Sequence, residues 1–328
     1  MKKIKAGIVG GAGYTGGELL RLLVNHPQVE ITFVHSNSNA GNLISDVHTD
    51  LTGDTDLVFT QTLSQDIDVL FLCVGHGDSR KFLESHEIDN KIHLIDLSQD
   101  FRLSNNTTYK GSDFVYGLPE LQRDAIKKAR HIANPGCFAT CIQLALLPLA
   151  AAGVLTDEVH ISATTGSTGA GQSLSQTTHF SWRNNNSSVY KAFEHQHLNE
   201  ITQSLHQAGS SLNKDQLNFI PYRGDFSRGI IASVYTKSSL TQEEAVTLYE
   251  AYYKEHPFTH LMRKNIDLKQ VVNTNKCFLY VEKHGDKLLI VSIIDNLLKG
   301  ASGQAVQNMN LIFGLEEQTG LKLKATAF

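Results

Sequence analysis

The first 24 residues constrain the fold of this chain more than any other stretch. Ile4 to Val9 is a short apolar run, Gly10-Gly11-Ala12-Gly13-Tyr14-Thr15-Gly16-Gly17 follows, and Glu18 to Val24 is apolar at helical spacing. Strand, glycine turn and helix in that order let the backbone at Gly10, Gly13 and Gly16 approach a pyrophosphate seated on a helix N-terminus. A glycine triplet alone is a weak signal, and a tight turn holding no ligand is the plainer reading; the flanking strand and helix favour the dinucleotide. The next apolar run, Glu30 to His35, closes in Ser36-Asn37-Ser38 with no carboxylate. An acidic residue at this point would take the ribose 2′-hydroxyl of NAD, so neutral hydroxyl and amide donors favour the 2′-phosphate of NADP, although no arginine stands beside them.

The pattern repeats downstream. Val69 to Val74 reads as a buried parallel strand ending in Gly75-His76-Gly77-Asp78-Ser79, where Asp78 or Ser79 caps the helix that follows. Ile92 to Leu97 is another strand, ending in Ser98-Gln99-Asp100-Phe101-Arg102, and Pro119 to Ala129 reads as a helix with proline in its first turn. Ligands in open α/β sheets sit beyond the carboxyl ends of the strands, which predicts that the glycine turn, Ser79, Arg102 and the cysteine corner described next converge on one crevice. Arg102 is there either an ordinary ion-pair partner or an anion clamp.

Ala133-Asn134-Pro135-Gly136-Cys137-Phe138-Ala139-Thr140 reads as a strand end, a tight corner, a cysteine, and then a long apolar helix from Thr140 to Ala152, with Pro148 kinking or ending it. A thiol at a helix N-terminus meets unpaired amides and the positive dipole end, which favour the thiolate. Free cysteines are ordinarily small buried hydrophobes, and Cys73, Cys141 and Cys277 read that way; Cys137 reads as a nucleophile. Four cysteines in 328 residues show neither a disulfide framework nor a metal spacing, which points to a reducing compartment, the cytoplasm. A net charge of −4 argues for no nucleic-acid or membrane partner, and no run of about twenty apolar residues occurs.

Past Gly153 longer amphipathic strands take over. Val159 to Thr165 closes in Gly166-Ser167-Thr168-Gly169-Ala170-Gly171, a second anion nest or a linker. Residues 172–190, with Trp182 and Arg183, read as a long polar loop. Glu194 onward opens a helix to about Gln207 on which His197 and Glu200 share a face and His195 is offset. That spacing does not match a metalloprotease helix, so no metal is expected; a base near Cys137 is what the chemistry requires. Strands at Gln216–Tyr222 and Arg228–Lys237, a helix capped by Thr241 with Glu244, and a hairpin about His284-Gly285-Asp286 make the second half α+β. Gly303 to Gly314 reads as an amphipathic helix. The expected fold is α/β: a Rossmann-type NADP-binding domain over 1–138, an α+β substrate and dimerisation domain over 139–302, and a C-terminal helix in 303–328 returning to the first domain.

Taken together, the Gly10–Gly17 turn, Asp96-Leu97-Ser98 with Asp100-Phe101-Arg102, Tyr116-Gly117-Leu118-Pro119-Glu120, Asn134-Pro135-Gly136-Cys137, Gly169-Ala170-Gly171, His195 to Ile201, Arg228-Gly229-Ile230 and Asp295 to Gln307 resemble the N-acetyl-γ-glutamyl-phosphate reductases. These are NADP-dependent enzymes of arginine biosynthesis related to aspartate-semialdehyde dehydrogenase, and the resemblance spans nearly the whole chain. It implies Cys137 as nucleophile and His197 as acid/base, with Arg102, His195, Glu200, Ser167 and Gly169 contacting the acyl phosphate substrate. Gly10, Gly13, Tyr14, Thr15, Gly16, Ser36, Asn37 and Ser38 would hold NADP, Asn296 would lie near the nicotinamide, and the assembly would be a homodimer or homotetramer. Three departures stand out: Gln172 and Gln196 replace usually basic residues, and Tyr222-Arg223 replaces a usual histidine and leucine. The default substrate is therefore N-acetyl, with an alternative in which Arg223 pairs with a carboxylate on the acyl group, as in succinyl. Another phosphorylating semialdehyde dehydrogenase and a non-catalytic NADP-binding regulator are the other readings.

Overall fold

The structure, a computed structural model, describes residues 2–327. In chain order come β1 (Ile4–Val9), α1 (Tyr14–Leu23), β2 (Val29–His35), α2 (Ile44–Val47), β3 (Phe59–Thr60), β4 (Val69–Leu72), α3 (Asp78–Ser85), β5 (His93–Asp96), β6 (Thr108–Tyr109), β7 (Ser112–Tyr116), α4 (Pro119–Lys128) and β8 (His131–Ala133). There follow α5 (Cys137–Ala151), β9 (Val159–Thr165), α6 (Phe180–Arg183), β10 (Ser188–Val189), α7 (His197–Gln207), β11 (Leu217–Arg223), β12 (Ile230–Lys237), α8 (Gln242–Tyr253), β13 (Thr259–Leu261), β14 (Cys277–His284), β15 (Lys287–Ile294) and α9 (Gly303–Ile312). The chain forms two compact units, one of residues 2–118, Gln122–Pro135 and Ala301–Lys322, the other of Pro119–Leu121, Gly136–Gly300 and 323–327.

The first unit is built on a sheet ordered β3-β2-β1-β4-β5-β8-β7-β6, parallel except for the β6–β7 pair. Val69-Leu70-Phe71-Leu72 is buried throughout, as a strand covered on both faces must be. The strand order reverses between β1 and β4, so the connections leaving them part and open a crevice at their carboxyl ends. The cap of α3 differs from expectation: Gly77, at φ +85, is the N-cap, and neither Asp78 nor Ser79 performs that role. The Asp100 carboxylate reaches over instead, accepting the Gly77 N–H at 2.6 Å and the Arg80 N–H at 3.1 Å. Ser79 is fully buried and donates to Asp96 at 2.5 Å. Nor is α9 amphipathic, because Gln304, Gln307, Asn308 and Asn310 are all buried. The amide nitrogens of Gln307, Asn308 and Asn310 find internal partners; Asn308 Nδ2, for example, donates to the Gly117 carbonyl and to Asn134 Oδ1.

The second unit carries a sheet ordered β10-β11-β9-β12-β15-β14-β13, antiparallel except for β11–β9 and β14–β13. Apolar on every side, α5 is buried from Phe138 to Ala150 and is the core helix of the unit. Pro148 lies inside it and ends neither hydrogen bonding nor burial there. Having no N–H, it cannot serve the Leu144 carbonyl one turn back, and the buried Tyr253 hydroxyl donates to that oxygen at 2.6 Å instead. Gln143 ties α5 to α7 through the Glu200 carbonyl and the Ser204 hydroxyl. The fully buried Lys299 ammonium pairs with Glu120 at 2.8 Å. The fold class is the one the sequence predicts, a parallel dinucleotide-type sheet followed by an α+β unit.

Candidate active site

In the first unit, Gly10 stands at the end of β1 with φ +79, and a Cβ there would lie 2.4 Å from the Cys73 carbonyl oxygen. A Cβ on Gly16 would lie 2.5 Å from the Gly10 oxygen. Neither position accepts a side chain, which is how β1 and the start of α1 come close enough to leave a cradle in front of them. No side chain caps α1, whose N-cap is Gly13, so that end suits an anion. A cleft of about 370 Å³ opens here, lined by Gly10, Ala12 and Gly13, by Ser36 and Asn37 after β2, and by Lys81 and His86 of α3. These residues fit a dinucleotide. Gly16 packs beneath the turn, Tyr14 and Thr15 open α1, and Ser38 is exposed, its hydroxyl accepting from Asn39. Lys81, which bonds Asp78 at 3.1 Å, is the cation that sequence reasoning did not find near Ser36. Its signal was its place one turn past the capping loop of the helix after β4.

Arg102, also in this unit, is buried, donating from Nε to the Asn134 carbonyl and from Nη2 to the Leu97 carbonyl, both at 2.8 Å. It therefore holds the strand end that leads to the cysteine corner. Ser79, spent on Asp96, offers its hydroxyl to no ligand.

In the second unit the expected helix starts three residues early, so that Cys137 is the first residue of α5 and Gly136 its N-cap. No acidic residue of α5 itself stands in that first turn, so the dipole end faces the sulfur and the carboxylate at this helix start is supplied by another element. Cys137 is half-buried, whereas Cys73, Cys141 and Cys277 are buried. Burial pushes the Cys73 and Cys277 thiols up to about 12, and Cys141 well above its ordinary value, leaving all three inert. A Cβ on Gly300 would lie 2.8 Å from that of Cys137, so the backbone there lies directly against the thiol residue.

α7 supplies the groups around this corner. Glu200 Oε2 accepts the Gly136 N–H at 3.0 Å, and its Oε1 lies 3.9 Å from His197 Nε2. The two imidazoles, 4.6 Å apart, both meet the edge of Phe138, the residue after the cysteine. His195 Nδ1 accepts the His197 backbone N–H at 3.2 Å, which puts the proton of a neutral ring on Nε2. Burial, together with the neighbouring His197, pushes His195 down to about 3, so it stays neutral across the working range.

The polar loop expected over 172–190 is partly ordered into α6 and β10, and it carries a residue that sequence reasoning passed over. Arg183 is only 9 % exposed; Nη2 donates to the Thr165 carbonyl at 3.5 Å and Nε has no partner among the described residues. Arg223 lies opposite Thr165 in the β9–β11 register, with its guanidinium 3.9 Å over the Tyr190 ring. Along 166–171 the nest reading fails: the amides of Gly166, Ser167, Thr168 and Gly169 already donate to the carbonyls of Gly229, Phe226, Ser227 and Gly166. Asn296 is buried, accepting the Gly229 N–H at 2.7 Å and donating to Thr168 Oγ1 at 2.9 Å. Beside it Arg228 and Asp295 form a two-pronged ion pair, both contacts 3.0 Å. Among the described residues no group of His, Cys, Asp and Glu is arranged to hold a metal.

Comparison with known proteins accounts for both units. Residues 5–129 match the family model for the NAD-binding domain of semialdehyde dehydrogenases, and residues 137–296 match the one for their dimerisation domain. The N-acetyl-γ-glutamyl-phosphate reductases of Bacteroides fragilis and Bacteroides thetaiotaomicron are each 61% identical over 326 residues, 99% of this chain and all of each relative. That of Flavobacterium johnsoniae is 56% identical over 325 residues. The fold is shared with aspartate semialdehyde dehydrogenase II of Vibrio cholerae, solved with ASA, at TM-score 0.71 and 15% identity over 96% of this chain and 99% of that one. The Candida albicans aspartate semialdehyde dehydrogenase, solved with NADP, gives TM-score 0.70 at 13% identity over 95% of this chain and 99% of that one. The chain thus belongs to the N-acetyl-γ-glutamyl-phosphate reductase family of semialdehyde dehydrogenases.

Proposed function

We propose that this protein catalyses the NADPH-dependent reduction of an N-acyl-γ-glutamyl phosphate, N-acetyl by default, to the glutamate semialdehyde with release of phosphate, a step of arginine biosynthesis. The observation that carries this reading is the corner at Gly136-Cys137, where a half-buried thiol starts a helix whose N-cap amide is held by Glu200 beside His195 and His197. Family membership at 61% identity supports it.

A carboxylate resists hydride, whereas an acyl phosphate passes readily to a thiolate. Cys137 attacks the acyl carbon; the C–S bond forms as the bond to phosphate oxygen breaks, and phosphate leaves with the electron pair. Arg102 is assigned to that departing anion on the family resemblance, with Ser167, Gly169 and Arg223 contacting the rest of the substrate. Gly10, Gly13, Tyr14, Thr15, Gly16, Ser36, Asn37 and Ser38 would hold a reduced nicotinamide dinucleotide, with Asn296 assigned to the nicotinamide on the family resemblance, and the bound group would supply the hydride that takes the thioester to the aldehyde level. His197 accepts the thiol proton at the outset and returns it to the oxygen or sulfur as the C–S bond breaks. Glu200 orients His197, and the neutral His195 donates from Nε2 to a substrate oxygen. NADP is favoured over NAD because Ser36 and Asn37 bring no carboxylate and Lys81 lines the same cleft. We further assign a cytoplasmic homodimer or homotetramer, the pairing made through the dimerisation domain.

The reverse reaction tests this: N-acetylglutamate semialdehyde with phosphate should yield NADPH, absorbance rising only when phosphate is present. The kcat/KM for NADP should exceed that for NAD; the opposite preference overturns the cofactor assignment. Cys137→Ser should abolish turnover while NADPH still binds by fluorescence titration, and a serine variant with substantial activity would rule out covalent catalysis at this residue.

A further inference from the structure

We infer that Arg183 and Arg223 form a carboxylate subsite for the N-acyl group of the substrate, so that the preferred acyl group carries its own carboxylate, as succinyl does and acetyl does not. The inference rests on the functional reading above and names the substrate class of that same site. Both guanidinium-bearing residues gather at the carboxyl end of β9: Arg183 Nη2 donates to the Thr165 carbonyl, and Arg223 pairs with Thr165 across the strands. Tyr190, stacked under Arg223, meets the His195 ring at 5.7 Å, and His195 in turn meets Phe138, the residue after Cys137, at 5.5 Å, so the pair adjoins the candidate site.

Two like charges brought together raise each other's free energy unless an anion joins them, and a guanidinium is the side chain suited to bind one through two parallel bonds. Burial and then the Arg223 charge lower the Arg183 pKa, the direction such repulsion takes. The carboxylate acting on Arg183 within the protein is Asp225, which is exposed and already accepts the Asn185 N–H at 2.8 Å. A nine-tenths-buried guanidinium with a partnerless Nε is a donor without its acceptor. An acetyl substrate, once joined to Cys137, offers a single carboxylate to two arginines; a succinyl substrate offers a second.

The test compares kcat/KM for N-succinyl- and N-acetylglutamate semialdehyde, with phosphate and NADP, on the wild type, Arg183→Gln and Arg223→Gln. The wild type should prefer the succinyl compound. Each variant should cut the succinyl-to-acetyl ratio by about 10- to 150-fold, the loss of one charge-assisted bond, through KM more than kcat. Preference of the wild type for the acetyl compound overturns the inference. So does an equal loss on both compounds, which would assign the arginines to the α-carboxylate the two share. Calorimetric titration of the wild type with N-succinyl- and N-acetylglutamate decides the subsite without turnover, and tighter binding of the acetyl ligand overturns it. If neither semialdehyde yields NADPH while the succinyl ligand binds more tightly, the reaction assigned above fails and the subsite stands.

Discussion

At the scale of single residues, the two histidines of α7 divide their work by environment. His195 is held neutral by burial and by His197, with its Nδ1 occupied by a backbone N–H, so it can donate a hydrogen bond but has no proton to exchange in the working range. His197 faces the Glu200 carboxylate, the arrangement that orients an acid/base. His197→Asn should therefore lower kcat by roughly 10²–10⁴, the ordinary loss for an acid/base. His195→Asn should act mainly on KM and leave the pH profile of kcat in place. Steady-state profiles of the two variants from pH 5 to 9 check this; a reversed pattern would exchange the roles.

At the scale of elements, α5 shows how a helix that presents a nucleophile is kept intact although its sequence carries a breaker. Pro148 removes the donor for the Leu144 carbonyl, and Tyr253 of α8 restores it from outside the helix. Tyr253→Phe keeps the ring and removes only the hydroxyl, leaving a buried acceptor unserved at a cost of about 1–3 kcal/mol. Urea unfolding should show the midpoint falling with unchanged slope. No shift in midpoint would mean that the carbonyl is satisfied in another way.

For the whole molecule, acid sensitivity follows from histidines buried in the neutral form. Burial, then the nearby Arg130 and His93, push His131 of the first unit down to about 4, and His195 of the second is down at about 3. Between these values and the ordinary 6.5, the unfolded chain binds protons that the folded chain does not. Stability is then full above about pH 6.5 and falls as pH drops toward 4. Glu120 acts at lower pH still. Burial, the largest single effect, would raise its pKa, but the charges of Lys299 and His256 and the hydrogen bonds from Lys299 and Thr259 together outweigh it and lower the pKa, so its contribution is present above the ordinary carboxylate range and lost on further acidification. Thermal melts from pH 8 to 4 should show Tm declining from about 6.5, and His131→Leu should flatten the upper part of the decline. A Tm constant down to pH 4.5 would contradict the account.

What the sequence by itself determined is what a few neighbouring residues decide. A strand, glycines at 10, 13 and 16 and an apolar helix specify a dinucleotide turn because the close approach of backbone to backbone excludes any Cβ there. A cysteine after Asn-Pro-Gly falls at a helix start, and residues three apart on a helix, His197 and Glu200, share a face by its 3.6-residue period. Tertiary structure alone decided the rest, since it depends on residues far apart in the chain. Asp100 caps α3 from a distant loop, and Tyr253 serves a carbonyl that Pro148 orphaned. The amides after β9 looked like an open nest until the segment at 226–229 supplied their acceptors. Arg183, in a stretch that read as a long polar loop, is buried with its guanidinium on the Thr165 carbonyl, and the register of β9 with β11 sets Arg223 opposite that same residue. Strand register is fixed by the core face of the whole sheet rather than by the residues it brings together, and so the arginine pair became visible only in three dimensions.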